Sequence, residues 1–151
     1  MQFDSVEAVI AFAIEREEEA AAFYAELAET VASPHMREVF QSFEREEKKH
    51  KAKLININER KLLAGAERRV MNLQLAEYLD DNTAISPHMT YQEALIVAMQ
   101  REKQSFRLYH DLAGTTDDET LRTALLGLAQ EEAKHKLRLE LEYDETILTE
   151  N

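Results

Sequence analysis

Two short motifs in this sequence have the residue types and spacing of metal ligands. Each is a Glu followed three positions later by a His: Glu47 with His50, and Glu132 with His135. Side chains three positions apart lie on the same face of an α-helix, so each motif can direct a carboxylate and an imidazole at one ion. One such motif is weak evidence, whereas two with matched surroundings are strong. Ligands of this kind without thiolates suit iron or manganese, with zinc as a third candidate.

The sequence also contains an internal repeat that carries two further acids. A shift of 85 positions superimposes the first half on the second without a gap and matches Glu17 with Glu102. The same shift superimposes the two Glu-x-x-His motifs and pairs Tyr24 with Tyr109. Tyr and His are uncommon in this composition, so these matches carry more weight than those of Ala or Lys. The chain is predicted to be two copies of one helical hairpin.

Four helices must position these residues, and each has an apolar seam with steps of four and three residues. A Glu lies near the middle of every seam, and no Lys or Arg does, which disfavours a buried layer of ion pairs. Counted from the hairpin turns at Ser33 and near Asp118, the two acids of each hairpin differ in height by about 3 Å at ~1.5 Å per residue. Four carboxylates and two imidazoles are therefore predicted to converge on the axis of a bundle.

Four ionised carboxylates in a core would repel one another, and two divalent cations would balance their charge. A Glu from each of two helices with Glu-x-x-His from each of the others is the ligand set of ferritin-like dimetal bundles. The predicted metal ligands are Glu17, Glu47, His50, Glu102, Glu132 and His135.

Capping residues and breakers define the helices around this site. We expect Ser5 to cap helix one, Ser33-Pro34 to start helix two, and Gly65 to stop it. Capping boxes are predicted for helices three and four, at Thr90/Glu93 and Thr116/Glu119. The result is one all-α domain over residues 1–151, a ferritin-like four-helix bundle with a single long crossover between helices 2 and 3. Its predicted segments are a hairpin at 5–64, a crossover at 65–89, a hairpin at 90–143 and a short C-terminal tail at 144–151.

Composition excludes several classes of function. The 151 residues carry a net charge of −12, which argues against binding to nucleic acid or to anionic membranes. The absence of Cys excludes thiol catalysis, disulfides and Cys-ligated metal within this sequence. No apolar run is long enough to cross a membrane, and no export signal precedes the first helix, so a cytoplasmic location is expected.

On these motifs the chain resembles the rubrerythrin group of ferritin-like di-iron proteins, over residues 5–64 and 90–143. The resemblance implies that Glu47 and Glu132 bridge two iron ions, while Glu17 and Glu102 are terminal ligands. His50 and His135 would bind one ion each. It further implies that Tyr24 and Tyr109 contribute to catalysis indirectly, by hydrogen bonding to ligand carboxylates and fixing their geometry.

Two features depart from the pattern of that group. Full-length rubrerythrins carry a rubredoxin domain with four Cys, which this sequence lacks, so the electrons are expected to come from an external donor. Ser105 stands one turn after Glu102, where rubrerythrins have an additional Glu. The expected function is an oxidoreductase that reduces hydrogen peroxide or dioxygen, acting as a homodimer. The alternatives are ferroxidase or iron storage activity, and a metal-free interaction module.

Overall fold

A computed structural model describes residues 3–78, 85–86 and 88–150 of the chain. It contains α1 (Val6–Thr30), α2 (Pro34–Glu59), α3 (Glu67–Met71), α4 (Tyr91–Ala113) and α5 (Glu119–Glu150), with short 3₁₀ helices at Ala64–Ala66 and Leu75–Tyr78. The chain divides into two compact units, residues 3–72 and residues from Leu73 onward. Parts of the predicted crossover (79–84 and 87) and the last tail residue, Asn151, lie outside the described residues. None of the helices in the described part is both long and apolar enough to cross a membrane.

The first unit is a hairpin of α1 and α2 with well-defined helix starts. Ser5 caps α1, since its hydroxyl accepts a hydrogen bond from the backbone N–H of Ala8 at 3.0 Å. Ser33 caps α2 in the same way, and Pro34 occupies the first helical position as predicted. Arg37 Nε donates to the backbone carbonyl of Ala28 at 3.1 Å, which links the start of α2 to the last turns of α1.

The end of α2 differs from the predicted one. The helix stops at Glu59, and Gly65 is not its terminator. Lys61 takes a left-handed backbone conformation with φ 52°, and the N–H of Leu62 donates to the carbonyl of Ile57 at 3.0 Å. This hydrogen bond is characteristic of a Schellman ending, which Gly usually adopts and Lys adopts here. Five residues of the predicted helix, 60–64, therefore belong to the segment that follows α2 within the first unit.

The second unit is a hairpin of α4 and α5, and its two helix starts differ. The predicted capping box at Thr90 and Glu93 is present, and the hydrogen bonds from the Thr90 backbone and hydroxyl lower the pKa of Glu93. The predicted box at Thr116 is wrong, because Asp118 caps α5 through the N–H of Leu121 at 3.0 Å. The carbonyl of Thr116 instead accepts a hydrogen bond from the Arg122 guanidinium at 2.5 Å.

The far end of α5 also differs from the prediction. The helix was expected to end near Tyr143, followed by a tail, but it continues to Glu150. Residues 144–150 contain neither Gly nor Pro, so nothing in the backbone stops the helix there. Tyr91, at the start of α4, donates a hydrogen bond to the Glu142 carboxylate at 2.8 Å and joins the two helices next to the predicted end.

A second tyrosine links the crossover to α4. Tyr78 is 1 % exposed, and its hydroxyl donates to the Asp111 carboxylate at 2.6 Å. Burial, and then this hydrogen bond, raise the pKa of Tyr78 above its ordinary value. Because only the protonated phenol can donate to Asp111, the contact depends on the neutral form of the tyrosine.

Replacing Tyr78 is expected to destabilise the protein in a pH-dependent way. At pH 8, Tyr78→Phe should lower the free energy of unfolding by about 1–3 kcal/mol, since a hydrogen bond to a charged acceptor is lost. Above a pH of about 10 the unfolded wild type ionises this tyrosine while the folded form keeps its proton, so wild-type stability falls as the pH rises. Urea unfolding at pH 8 and pH 10.5 should show that the difference in free energy of unfolding between wild type and variant is smaller at pH 10.5. A difference that stays constant would contradict this assignment.

Candidate metal centre

In the first unit, α1 and α2 bring together the three predicted ligands Glu17, Glu47 and His50. Each side chain lies near the middle of its helix and is 1 % exposed. His50 Nδ1 lies 3.7 Å from Glu17 Oε1 and 3.5 Å from Glu47 Oε1. One potential ligand atom from each residue lies within 4.8 Å of the others. We call these three residues the first triad.

The second unit repeats this arrangement with Glu102 on α4 and with Glu132 and His135 on α5. These residues are between 1 % and 3 % exposed. His135 Nδ1 lies 3.5 Å from Glu102 Oε1 and 3.9 Å from Glu132 Oε1. Their potential ligand atoms also lie within 4.8 Å of one another. These three residues form the second triad, and the two triads have the same composition and order along their hairpins.

The spacing within each triad suits a bound metal ion. The His–Glu distances of 3.5 to 3.9 Å exceed the ~2.9 Å of a good N–H···O hydrogen bond. Atoms that bind one metal ion at about 2.0–2.2 Å are themselves separated by about 3–3.5 Å. The triads are therefore close to the spacing of ligands around a shared ion, and a small inward movement of side chains would complete it.

The charge of the core supports the same conclusion. The buried ionisable side chains that can carry a formal charge in the described ranges are the six triad residues, with no buried Lys or Arg among them. Burial of carboxylates in a core is unfavourable without nearby positive charge. Carboxylate and imidazole donors form a hard, nitrogen-containing set that fits iron, manganese or zinc. Each triad thus has the chemistry of a cation site.

Tyr24 and Tyr109, predicted to hold ligand carboxylates in place, are both buried on the helices that carry Glu17 and Glu102. Tyr24 is 2 % exposed and packs against Phe40 and Phe43, with ring centroids 6.1 Å and 5.2 Å apart. Tyr109, at the equivalent position of the second unit, is 1 % exposed. The positions that match Phe40 and Phe43 are Leu125 and Leu128, both buried. Apolar side chains therefore surround this part of each seam and exclude water.

Sequence patterns did not single out a surface ion pair next to the first triad. Glu18 and Lys51 directly follow the triad residues Glu17 and His50, and their charged groups lie 3.3 Å apart. The pair connects α1 to α2 on the outer side of the hairpin. The opposite charges immediately after two ligand positions were the available signal, but Lys51 was indistinguishable from its neighbouring lysines in a charged helix face.

Comparisons with known proteins agree with this geometry. The family model described as Rubrerythrin matches residues 8–143. A crystal structure from Thermotoga maritima, described as a ferritin-like diiron-carboxylate protein, superimposes with a TM-score of 0.73 at 19 % sequence identity. The match covers 97 % of this chain and 99 % of that one. No curated protein sequence matches the chain.

Because its carboxylates are buried, the protein should be less stable without metal and more strongly stabilised by metal than a variant that lacks one of them. Without metal, Glu47→Gln should raise the free energy of unfolding by about 1–3 kcal/mol, because it removes one of two crowded buried charges. With ferrous or manganous ion added, wild type should gain more stability than the variant, since ligands that bind only the folded state stabilise it. Urea unfolding in chelator and in added metal measures both effects.

The adjacent substitution Glu46→Gln is the matched control, because Glu46 lies outside the triad on the same helix turn. It should leave the stabilisation by metal unchanged. A Glu47→Gln variant that is less stable than wild type in chelator, and equally stabilised by metal, would contradict the assignment of Glu47 as a ligand.

Proposed function

Because the chain belongs to the rubrerythrin family, we propose that it is a dimetal oxidoreductase that reduces hydrogen peroxide with electrons from an external donor. The family and the ferritin-like fold are consistent with a dimetal protein. The observation that carries the proposal is the pair of buried Glu/Glu/His triads at equivalent positions of two hairpins. A simple structural bundle has no physical reason to bury six ionisable groups in this repeated pattern.

In this proposal the two triads together hold two metal ions. Glu47 and Glu132 would be shared between the ions, Glu17 and Glu102 would each hold one ion, and the His of each triad would hold one ion. Four carboxylates balance the charge of two divalent ions. Iron is the proposed metal, because the reaction needs an ion that changes oxidation state. Manganese would also satisfy that requirement, whereas zinc would occupy the site without supplying electrons.

The proposed reaction is the two-electron reduction of the O–O bond. One molecule of hydrogen peroxide takes up two electrons and two protons, the O–O bond breaks, and two molecules of water form. Iron held by the triads would supply the redox chemistry that the amino-acid side chains lack. The external donor then returns two electrons in a separate step.

The protein's own residues have three tasks in this scheme. The triad carboxylates fix the separation of the ions and stabilise their oxidised state by their negative charge. Tyr24 and Tyr109 act as positioning residues that hold ligand carboxylates in place. The apolar seam around Phe40 and Phe43 keeps bulk water away, so that the reacting groups meet peroxide in a largely dry environment.

The electron donor is proposed to be a separate protein, such as a rubredoxin-like one. The sequence has no Cys, so none of its residues can form the Cys-ligated iron relay that full-length rubrerythrins contain. Its net charge of −12 would suit a donor with a basic docking face, because opposite charges accelerate encounter. A homodimer in the cytoplasm with a role in oxidative stress is part of the same proposal.

The second candidate function is ferroxidase or iron-storage activity, which the same ligand set favours. Storage of a mineral requires a closed shell of many subunits, whereas a peroxidase needs only a small assembly. Size-exclusion chromatography with light scattering distinguishes these assemblies. Metal analysis of protein purified without added metal tests the third alternative, a metal-free module.

Reduced, iron-loaded protein is expected to be oxidised faster by peroxide than by dioxygen. Stopped-flow absorbance should show a rate with hydrogen peroxide at least about tenfold above that with an equal concentration of dioxygen, a barrier difference of ~1.4 kcal/mol. Glu132→Gln should lose iron and this reaction together. Its neighbour Glu131→Gln, outside the second triad, is the matched control and should keep both.

Two results would overturn the proposal. Binding of fewer than two iron ions per chain after anaerobic reconstitution would exclude the dimetal site. Equal rates with peroxide and dioxygen would exclude the peroxidase and leave ferroxidase activity as the better description.

A further inference from the structure

A groove between α1 and α2 of the first hairpin is lined in part by a residue of the first triad. It encloses a cavity of about 260 Å³ between α1 and α2, and buried Glu17 is one of its lining residues. The other lining residues are Glu18, Ala21, Ala22, Ala25, Glu44, Lys48 and Lys51. At about 30 Å³ per water-sized molecule, the space accommodates several small molecules. The three alanines keep it open, since their side chains end at Cβ.

The second hairpin has a groove at the same place in the repeat. Its cavity of about 330 Å³ is lined by Lys103, Phe106, Arg107, Ala133 and Lys136. Each of these positions is equivalent, by the shift of 85, to one that lines the first groove. Among the described lining residues, however, the triad residue Glu102 is absent. The groove therefore recurs in the second hairpin with a lining drawn from outside the second triad.

The two grooves also differ in the size of their side chains. Phe106 occupies the position of Ala21, and His110 occupies the position of Ala25. The two rings stack with centroids 5.8 Å apart and an interplanar angle of 26°. Where the first hairpin has two methyl groups, the second therefore has a stacked aromatic pair, and Phe106 of that pair lines the second groove.

The charges at the two grooves differ as well. In the first, Glu18 and Lys51 pair at 3.3 Å, and Lys48 pairs with Glu44 at 2.7 Å, so acids and bases neutralise each other. In the second, Lys103 replaces Glu18, and the lysine equivalent to Lys51 pairs along α5 with Glu140 at 3.0 Å. The second groove is lined by cations, while the first is alanine-lined with charge-balanced edges.

We propose that the groove between α1 and α2 is the entrance through which a small, uncharged oxidant reaches the metal ion held by the first triad. This inference rests on the proposed function and names the route to that site. Hydrogen peroxide and dioxygen are uncharged and no larger than the passage. Anions are disfavoured because the acid Glu17, buried in the core, is among the lining residues. Alanines between two helices often serve only to let the helices pack closely. Close packing would leave no cavity here, so it does not explain this groove.

The test transfers the aromatic pair of the second hairpin to the first. The variant carries Ala21→Phe and Ala25→His together. Nitric oxide, a neutral diatomic molecule, serves as the probe, and its binding to the reduced, iron-loaded variant is followed by absorbance without turnover. Its association rate is expected to fall by about tenfold or more, a barrier increase of ~1.4 kcal/mol. The rate of oxidation by hydrogen peroxide should fall by a similar factor.

Ala133→Phe is the matched control, because it adds an aromatic ring to the second groove instead of the first. It should leave the association rate of nitric oxide unchanged. If the double variant does not fold or does not bind two iron ions, Ala25→Leu alone adds less volume at a half-buried position and should slow association by a smaller factor. Association at the wild-type rate in a correctly loaded groove variant would overturn the proposal, as would equal slowing by Ala133→Phe.

The experiments distinguish failure of the proposed entrance from failure of the proposed peroxide reduction. Wild type that binds nitric oxide quickly but does not reduce peroxide would contradict the proposed function while leaving the entrance intact. Wild type that reduces peroxide, together with groove variants that bind nitric oxide and peroxide as fast as wild type, would contradict the entrance alone.

Discussion

Burial of like charge is the constraint on which the rest of this structure depends. Each hairpin places two carboxylates and an imidazole in its core, at 1–3 % exposure, with potential ligand atoms within 4.8 Å. Such a core is unfavourable by itself, so the surrounding apolar seam must contribute enough stability to tolerate it. Tyr24, Phe40 and Phe43 provide part of that support in the first unit. The same crowding that destabilises the metal-free core gives it affinity for cations.

The helices act as rigid supports because their ends are fixed by specific contacts. Ser5 and Ser33 cap the helices of the first unit, and Thr90 and Asp118 cap those of the second. An arginine at equivalent positions of the repeat, Arg37 or Arg122, binds a backbone carbonyl next to each hairpin turn. Fixed ends set the register of each antiparallel pair, and register decides whether acids on two helices meet.

Sequence periodicity was sufficient for the triads but not for the helix ends. A buried Glu such as Glu17 interrupts an apolar seam visibly, and a His three positions after Glu47 must share its face, so both follow from helix geometry. The end of α2 depends on the left-handed backbone of Lys61. The sequence does not predict this conformation, because it is typical of Gly and not of Lys. At the start of α5 the Asp118 carboxylate accepts from the Leu121 N–H, while the Thr116 hydroxyl accepts from the Asp118 N–H, and spacing alone did not distinguish these two roles. The grooves depend on which side chains meet across helices, which linear spacing does not specify.

The internal duplication has a consequence for how such a site can evolve. In an assembly of two identical hairpins, every mutation appears twice, and both metal positions change together. In this chain the copies are encoded separately, so Ala21 and Phe106 could diverge while the buried acids Glu17 and Glu102 stayed the same. Because the copies are joined in one chain, each half can change without the same change occurring in the other. Selection can assign different kinetic roles to two ions with identical donor sets.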